Sequence, residues 1–344
     1  MPLLKLPGMI DVHVHLREPG ATHKEDFSTG TAAALAGGVV VVLDMPNNTP
    51  PIVDKRSLEY KKHLAARKAL CPIGFYIGAA EDNASQCAAL AGEVVGLKIY
   101  LNQTYGPLRM RNLLALMSHF RQWPSHKPIA LHSEGAFLAV AIALSHLYDR
   151  PVHICHISRR EEILLIREAK KQGVKVTCEV TPHHLFLTQA DAKSLGSFAY
   201  MKPTLGSEED RAALWDNLAF IDIVASDHAP HTREEKESPN PPPGVPGLET
   251  TLPLLLTAVH EGKLTIERLL ELTFYNPARI FGITPPPDTW IEVDPDACYV
   301  ISSTGLKTKC GWTPFEGMKV RGRVRRVCLR GHRVFQDGEL LQDT

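Results

Sequence analysis

The chain alternates between two textures. Short runs rich in Val and Ile recur at intervals, separated by longer stretches in which apolar residues return every third or fourth position. The short runs cover residues 9–15 (MIDVHVH), 39–45 (VVVVLDM), 73–79 (IGFYIGA), 96–101 (GLKIYL), 128–132 (PIALH), 152–156 (VHICH), 174–179 (VKVTCE) and 221–226 (IDIVAS), and each predicts a strand. Longer stretches such as HKEDFSTGTAAALAGG, KRSLEYKKHLAARKAL, EGAFLAVAIALSHLYD and RREEILLIREAKKQG predict helices, the last with a terminal Gly stop signal. Eight strands, each followed by a helix or a helix-sized segment, predict an α/β fold of the (β/α)8 TIM-barrel type.

Beyond residue 275 the texture changes. FGITPPPDTWIEVDPDACYVIS and VRGRVRRVCLRGHRVFQDGEL read as short strands with turn residues between them. They predict a small β appendage formed by the chain termini rather than an independent domain. The expected division is a barrel over residues 9–275, with residues 1–8 and 276–344 in the appendage. The proline-rich run ESPNPPPGVPGLET, residues 237–250, is expected as a loop on the barrel's C-terminal face.

Composition narrows the function classes. With 344 residues, 44% hydrophobic and 22% charged, the chain can bury a sizeable core. Lys+Arg and Asp+Glu are both 38, so bulk charge suggests neither a nucleic-acid groove nor a membrane surface. The one basic cluster, KVRGRVRRVCLRGHR, alternates with Val and Leu and fits the solvated face of a half-buried sheet. The 7 cysteines are scattered singly, without CxxC, which points to a reducing, cytoplasmic compartment. No export signal or membrane-length apolar run is apparent. The compositional oddity is 16 histidines.

The unusual polar residues fall at one end of the predicted strands. Strand side chains alternate faces, so His13 and His15 point the same way, with Arg17 following if the strand continues. Lys98 sits in the fourth strand, His132 ends the fifth, His156 the sixth and Glu179 the seventh, and Asp227 follows the eighth. In a parallel barrel those ends converge on one mouth, where a polar residue reads as active site. Any one of these histidines alone would read as a hydrogen-bonded core residue. Four imidazoles and a carboxylate at one rim suit a divalent transition metal such as zinc. A lysine there would lose its proton to burial, and a neutral amine can take up carbon dioxide to form a metal-bridging carbamate; the bland alternative points Lys98 to solvent.

Taken together, DVHVHLREPG, MPNNTPP, GLKIYLN, HICHIS, CEVTPHHL and ASDHAPH resemble the dihydroorotases of the amidohydrolase superfamily. Phrases such as THKEDF, PGLET, LPLLLTAV and WTPFEG are similar to the branch embedded in the animal multifunctional CAD polypeptides, and the likeness covers nearly the whole chain. HxH alone would indicate only the superfamily.

The resemblance implies a hydrolase acting on cyclic amides. His13, His15 and Asp227 would hold one zinc, His132 and His156 a second, and a carboxylated Lys98 would bridge them. A hydroxide between the metals would attack the dihydropyrimidine amide, with Asp227 carrying its proton to the departing ring nitrogen. Run backward, the same site closes N-carbamoyl-L-aspartate into L-dihydroorotate. Arg17, Asn47 and His231 would bind the substrate carboxylate, a bidentate match for Arg. Without the other motifs, Arg17 would read as a surface arginine and Asn47 as a turn residue. Groups near Lys202, Pro246 and Gly247 would hold the ring's amide edges. Cys155 and Glu179 match positions used for an additional zinc, a buried thiol and a supporting carboxylate being the alternative; His183 and His184 read as supporting residues.

Residues 102–109, NQTYGPLR, fit a substrate-covering loop with Thr104 and Tyr105 at its catalytic tip; an ordinary turn is the alternative. Two positions depart from the animal branch: Tyr105 stands where Phe is expected, and Lys202 where Arg is commoner. The resemblance also implies a homodimer and an excised domain, linked in a longer chain to carbamoyl phosphate synthetase and aspartate transcarbamoylase. Two other readings compete. A dihydropyrimidinase, hydantoinase or allantoinase would have no substrate carboxylate for Arg17, Asn47 and His231 to bind. A catalytically dead scaffold would have lost metal ligands.

Overall fold

A computed structural model describes residues 3–341; the remaining positions of the expected appendage, 1–2 and 342–344, lie outside the described residues. Strand β1 (Leu4–Leu6) is followed by the barrel strands β2 (Met9–Val14), β3 (Val39–Asp44), β4 (Ile73–Gly78), β5 (Gly96–Tyr100), β6 (Ile129–His132), β7 (Val152–Ile154), β8 (Val176–Val180) and β9 (Ile223–Val224). These eight pair in sequence order and in parallel. All eight predicted strands are present. Residues of β2 and β3 are buried throughout, as expected for strands covered on both faces.

The eighth strand is shorter than predicted. Only Ile223–Val224 joins the ladder to β8. On its other side the circle closes through the isolated bridge Val14↔His228 and the Asp11 carboxylate, which accepts from Ser226 N at 3.1 Å and His13 N at 3.1 Å. A side chain here takes over the work of a ladder.

The helices are set by their caps. The predicted helix over 23–38 begins only at Phe27, because Asp26 caps Thr29 N at 3.0 Å, and ends at Ala36. Helix Arg160–Lys171 buries Ile163, Ile166 and Ala169 on one face, with Glu161 and Glu162 in its first turn and Lys170 and Lys171 in its last. That arrangement complements the helix dipole.

Strands β10 (Trp290–Val300), β11 (Lys319–Leu329), β12 (His332–Gln336) and β13 (Glu339–Leu340) form a separate antiparallel sheet, with β1 on the edge of β10. The basic run lies in β11, whose Val320, Val324 and Val327 are buried while Lys319 and Arg323 are exposed. Helix Asn276–Phe281 does not join this sheet: Phe281 packs edge-on against Tyr76 and His153 of the barrel. The C-terminal strands of that sheet start at Trp290.

Candidate active site

The strand ends meet at one rim, around an open cavity of about 400 Å³. His13 in β2 and His15 just after it have their rings 5.3 Å apart. His13 Nε2 lies 3.3 Å and His15 Nε2 3.1 Å from Asp227 Oδ1. The other nitrogen of His13 bonds Glu179, and that of His15 lies 2.7 Å from Asn47 Oδ1. From β6 and the end of β7, His132 Nδ1 and His156 Nε2 are 2.9 Å apart. His156 Nδ1 is buried and has no partner among the described residues. Lys98 is fully buried in β5, with Nζ 2.8 Å from Cys155 Sγ.

Arg17, His156 and Asp227 adopt positive φ values of 63°, 35° and 44°. Side chains with a Cβ rarely adopt this region, and such strain collects where a side chain must be aimed at a site. Each of these residues follows a strand's last ladder position, so the turn redirects the side chain into the cavity.

Electrostatics divides the groups. Burial holds His15 down to about 4, and holds His132 low and His156 far below its ordinary range. These imidazoles are neutral and offer lone pairs. Burial also opposes charge on His13, but the Glu179 and Asp227 carboxylates outweigh it and raise His13. Asp227 is likewise held ionised against its own burial, chiefly by His13 and by the hydrogen bond from His15. Neutral imidazoles, a carboxylate, a thiol and the orphaned His156 Nδ1 are the donor set that a borderline-soft divalent ion takes. Two groups of ligand atoms lie within 4.8 Å of one another: His13, His156 and Asp227, and His13, Cys155 and Glu179.

The opposite wall carries Arg17, Asn47, Thr104, Tyr105 and Lys202. Arg17 Nε donates to Pro230 O at 3.0 Å, and its Nη2 lies 3.1 Å from His231 Nε2. The loop 102–109 lies over the cavity. Asn47 Nδ2 donates to Tyr105 O at 3.0 Å and Lys202 Nζ to Gln103 O at 3.0 Å. Pro246 and Gly247 are not on the wall; Gly247 N donates to His228 Nδ1 at 3.2 Å. The wall there is Pro243 and Gly244. Gly244 has φ +140°, and a Cβ would come within 2.5 Å of Ala229 O, so only glycine lets the loop lie this close. His183 and His184 are buried, with His184 bonded to Thr181 and to Pro203 O.

Several participants escaped sequence reasoning. Glu134 accepts from His132 Nε2 at 2.9 Å and so orients its Nδ1 toward the site; its spacing two residues after His132 was the available signal. Tyr100 lines the cavity with a buried hydroxyl that has no partner among the described residues. Lys24 reaches the site from the loop after β2 with no sequence signal at all.

Residues 4–334 match the amidohydrolase family. The chain is 52% identical over 340 residues to the multifunctional protein CAD of Squalus acanthias, covering 98% of this chain and 15% of that protein. It is 37% identical to the dihydroorotase of Pyrococcus furiosus, covering 98% of this chain and 82% of that enzyme. Among solved structures, the L-hydantoinase of Arthrobacter aurescens is similar at a TM-score of 0.95 and 25% identity, over 99% of this chain and 87% of that one. The inactive dihydroorotase-like domain of a Chaetomium thermophilum CAD-like protein is similar at a TM-score of 0.85 and 29% identity, over 99% and 97%. With a barrel of this topology, ligand atoms gathered at its mouth and a dihydroorotase matched over most of its length, the chain belongs to the amidohydrolase family and, within it, to the dihydroorotases.

Proposed function

We propose that the chain is a zinc-dependent dihydroorotase that interconverts N-carbamoyl-L-aspartate and L-dihydroorotate in pyrimidine biosynthesis. The observation that carries this reading is one cavity lined both by the His13–His15–His132–His156–Asp227 cluster and by Arg17 and Asn47, with His231 beside Arg17. In the proposed site, His13, His15 and Asp227 would hold one ion and His132 and His156 another, and a carboxylated Lys98 would supply a further anionic ligand. Cys155 and Glu179 are candidates for a third. Among the described residues no carboxylate lies within ion-pair distance of Lys98, which is fully buried with its Nζ 2.8 Å from Cys155 Sγ. When bound, the ions supply Lewis acidity and a water activated at neutral pH.

The chain's own groups do the rest. Arg17 and His231 hold the carboxylate of the substrate, and Asn47 ties that wall to the loop tip. Asp227, held ionised, accepts the proton of the attacking water and returns it to the departing ring nitrogen, so it ends hydrolysis as it began. Thr104 and Tyr105 close the cavity over the ring and exclude bulk water. Lys202 and the Pro243–Gly244 wall border the ring's amide edges, in the role first expected of Pro246 and Gly247.

No described helix is long and apolar enough to cross a membrane. The chain spans 15% of the multifunctional relatives that it matches. We extend the reading to a cytoplasmic homodimer linked in a longer polypeptide to carbamoyl phosphate synthetase and aspartate transcarbamoylase. Sedimentation of the purified chain tests the dimer.

Hydantoinase-like activity is the second reading, favoured by the L-hydantoinase likeness. It leaves Arg17 and His231 without a carboxylate to bind. The test is turnover of dihydroorotate against dihydrouracil, with metal content per chain and dependence on bicarbonate measured on the same sample. Preference for dihydrouracil would overturn the assignment, and absence of any turnover in a fully metallated protein would make it a scaffold.

A further inference from the structure

Lys24 is placed where no surface lysine would be. Its side chain is 4% exposed, and its ammonium lies 2.9 Å from Glu235 Oε1, 3.0 Å from Tyr105 Oη and 3.1 Å from His231 Nδ1. An ammonium only donates, so the tyrosine oxygen and the imidazole Nδ1 must both accept. Glu235 Oε2 is the other group facing Nδ1, at a longer 3.6 Å. With Nδ1 accepting, the single proton of neutral His231 sits on Nε2, which lies 3.1 Å from Pro243 O. Burial, with the Arg17 and Lys24 cations beside it, keeps this ring neutral.

That tautomer has a consequence at Arg17. Nε2–H and the Arg17 Nη2 are both donors and lie 3.1 Å apart. Neither can satisfy the other. A two-oxygen acceptor seated against both relieves the clash, and a carboxylate is such an acceptor.

The same ammonium reaches the covering loop. Tyr105 stands where the resemblance led us to expect Phe, and its hydroxyl is the atom that Lys24 holds. The tyrosine ring packs edge-on against His231, 5.0 Å between centroids.

We propose that Lys24 is a positioning residue: it locks His231 in its donor tautomer and latches Tyr105 of the covering loop, joining carboxylate recognition to loop closure. This rests on the proposed role of Arg17 and His231 in carboxylate binding. A purely structural Lys24 would neutralise Glu235 and do nothing else.

The test uses Lys24→Met, Tyr105→Phe and the double variant in the metallated protein, assayed with dihydroorotate. Tyr105→Phe removes one hydroxyl and should raise KM about fivefold with kcat little changed. Lys24→Met should raise KM more, by about tenfold or beyond, and Tyr105→Phe should then add nothing. Nitrogen-15 spectra of histidine-labelled protein should show His231, identified by its loss in His231→Gln, protonated on Nε2 in the parent and not so fixed in Lys24→Met. Additive KM effects, or an unchanged KM and tautomer in a Lys24→Met protein that folds, would overturn the proposal. Parent turnover is the control for the underlying reading. If the parent fails to turn over dihydroorotate, the functional assignment falls and the tautomer measurement alone decides the role of Lys24.

Discussion

Replacing Glu179 with Gln changes one atom in the wall behind the proposed metal centre. The carboxylate is fully buried and accepts from His13 Nδ1, from His153 Nε2 at 3.0 Å and from His156 N at 3.3 Å. The His13 charge and these bonds keep it ionised against its burial. An amide retains one acceptor oxygen and turns the other position into a donor. His153 can adjust, because its Nδ1 lies 3.0 Å from Thr177 Oγ1 and can donate there while Nε2 accepts. His13 cannot adjust without losing the acceptor that fixes its Nδ1 proton. Exchanging two charge-assisted bonds for neutral ones costs roughly 1 kcal/mol each, about 2 kcal/mol of stability in total. A chain of this size should then melt a few degrees lower. The larger effect falls on His13 in its proposed role as a ligand: a lost carboxylate partner typically weakens metal affinity about 10- to 100-fold. Competition with a chelator, read by metal analysis and scanning calorimetry, measures both. Cys155→Ser in parallel separates support from direct ligation, because loss of the same single equivalent in both variants marks a third ion. Parental metal affinity and melting in Glu179→Gln would refute the reasoning.

Further expectations follow from other parts of the molecule. Arg17→Lys keeps the charge but loses the planar fork and the bond to Pro230 O, so KM for dihydroorotate should rise about tenfold while a cyclic amide without a carboxylate is little affected; steady-state kinetics decides. Lys236 is buried with its ammonium on the carbonyls of Tyr200, Pro242 and Gly244, and Lys236→Met should cost on the order of 3 kcal/mol in denaturant unfolding and loosen the Pro243–Gly244 wall. Burial raises Glu249 to about 7, although Lys307 N and Thr308 N donate to it. Because its folded value lies above the unfolded one, the native state binds the proton more tightly, and stability through this group falls as pH rises from about 4.5 to 7, by at most about 3 kcal/mol. Glu249→Gln should flatten that slope in melting curves taken from pH 4 to 8, and an unchanged slope would refute the assignment.

The barrel was legible because its strands are buried on both faces and so read as unbroken apolar runs; Val39–Asp44 is the clearest. The gathering of histidines and Asp227 at one mouth was legible because parallel strands deliver their last residues to one rim. What escaped was set by chain folding between strands. Residues 221–226 read as a full strand, yet after Val224 the backbone turns to the Asp11 carboxylate and into the left-handed conformation of Asp227. The lysine in THKEDF carries no sequence sign of its burial, and only the loop's return over the mouth buries it against Tyr105 and His231. Pro246 and Gly247 lie three residues beyond the Pro243–Gly244 pair that lines the cavity, and the proline-rich run carries no periodicity from which to read that register. Site residues held by long-range loop contacts leave little periodic trace in the sequence.

The short eighth strand gives the barrel a weak side. Six junctions are laced by longer main-chain pairing, the seventh holds only Ile223 and Val224 to β8, and the last is fastened by one bridge and one carboxylate. Asp227 stands beside that fastening, so this seam should yield first as the protein is warmed. Amide exchange near residues 225–228 should quicken while the rest of the ring stays protected, and catalytic competence should vanish before the fold does.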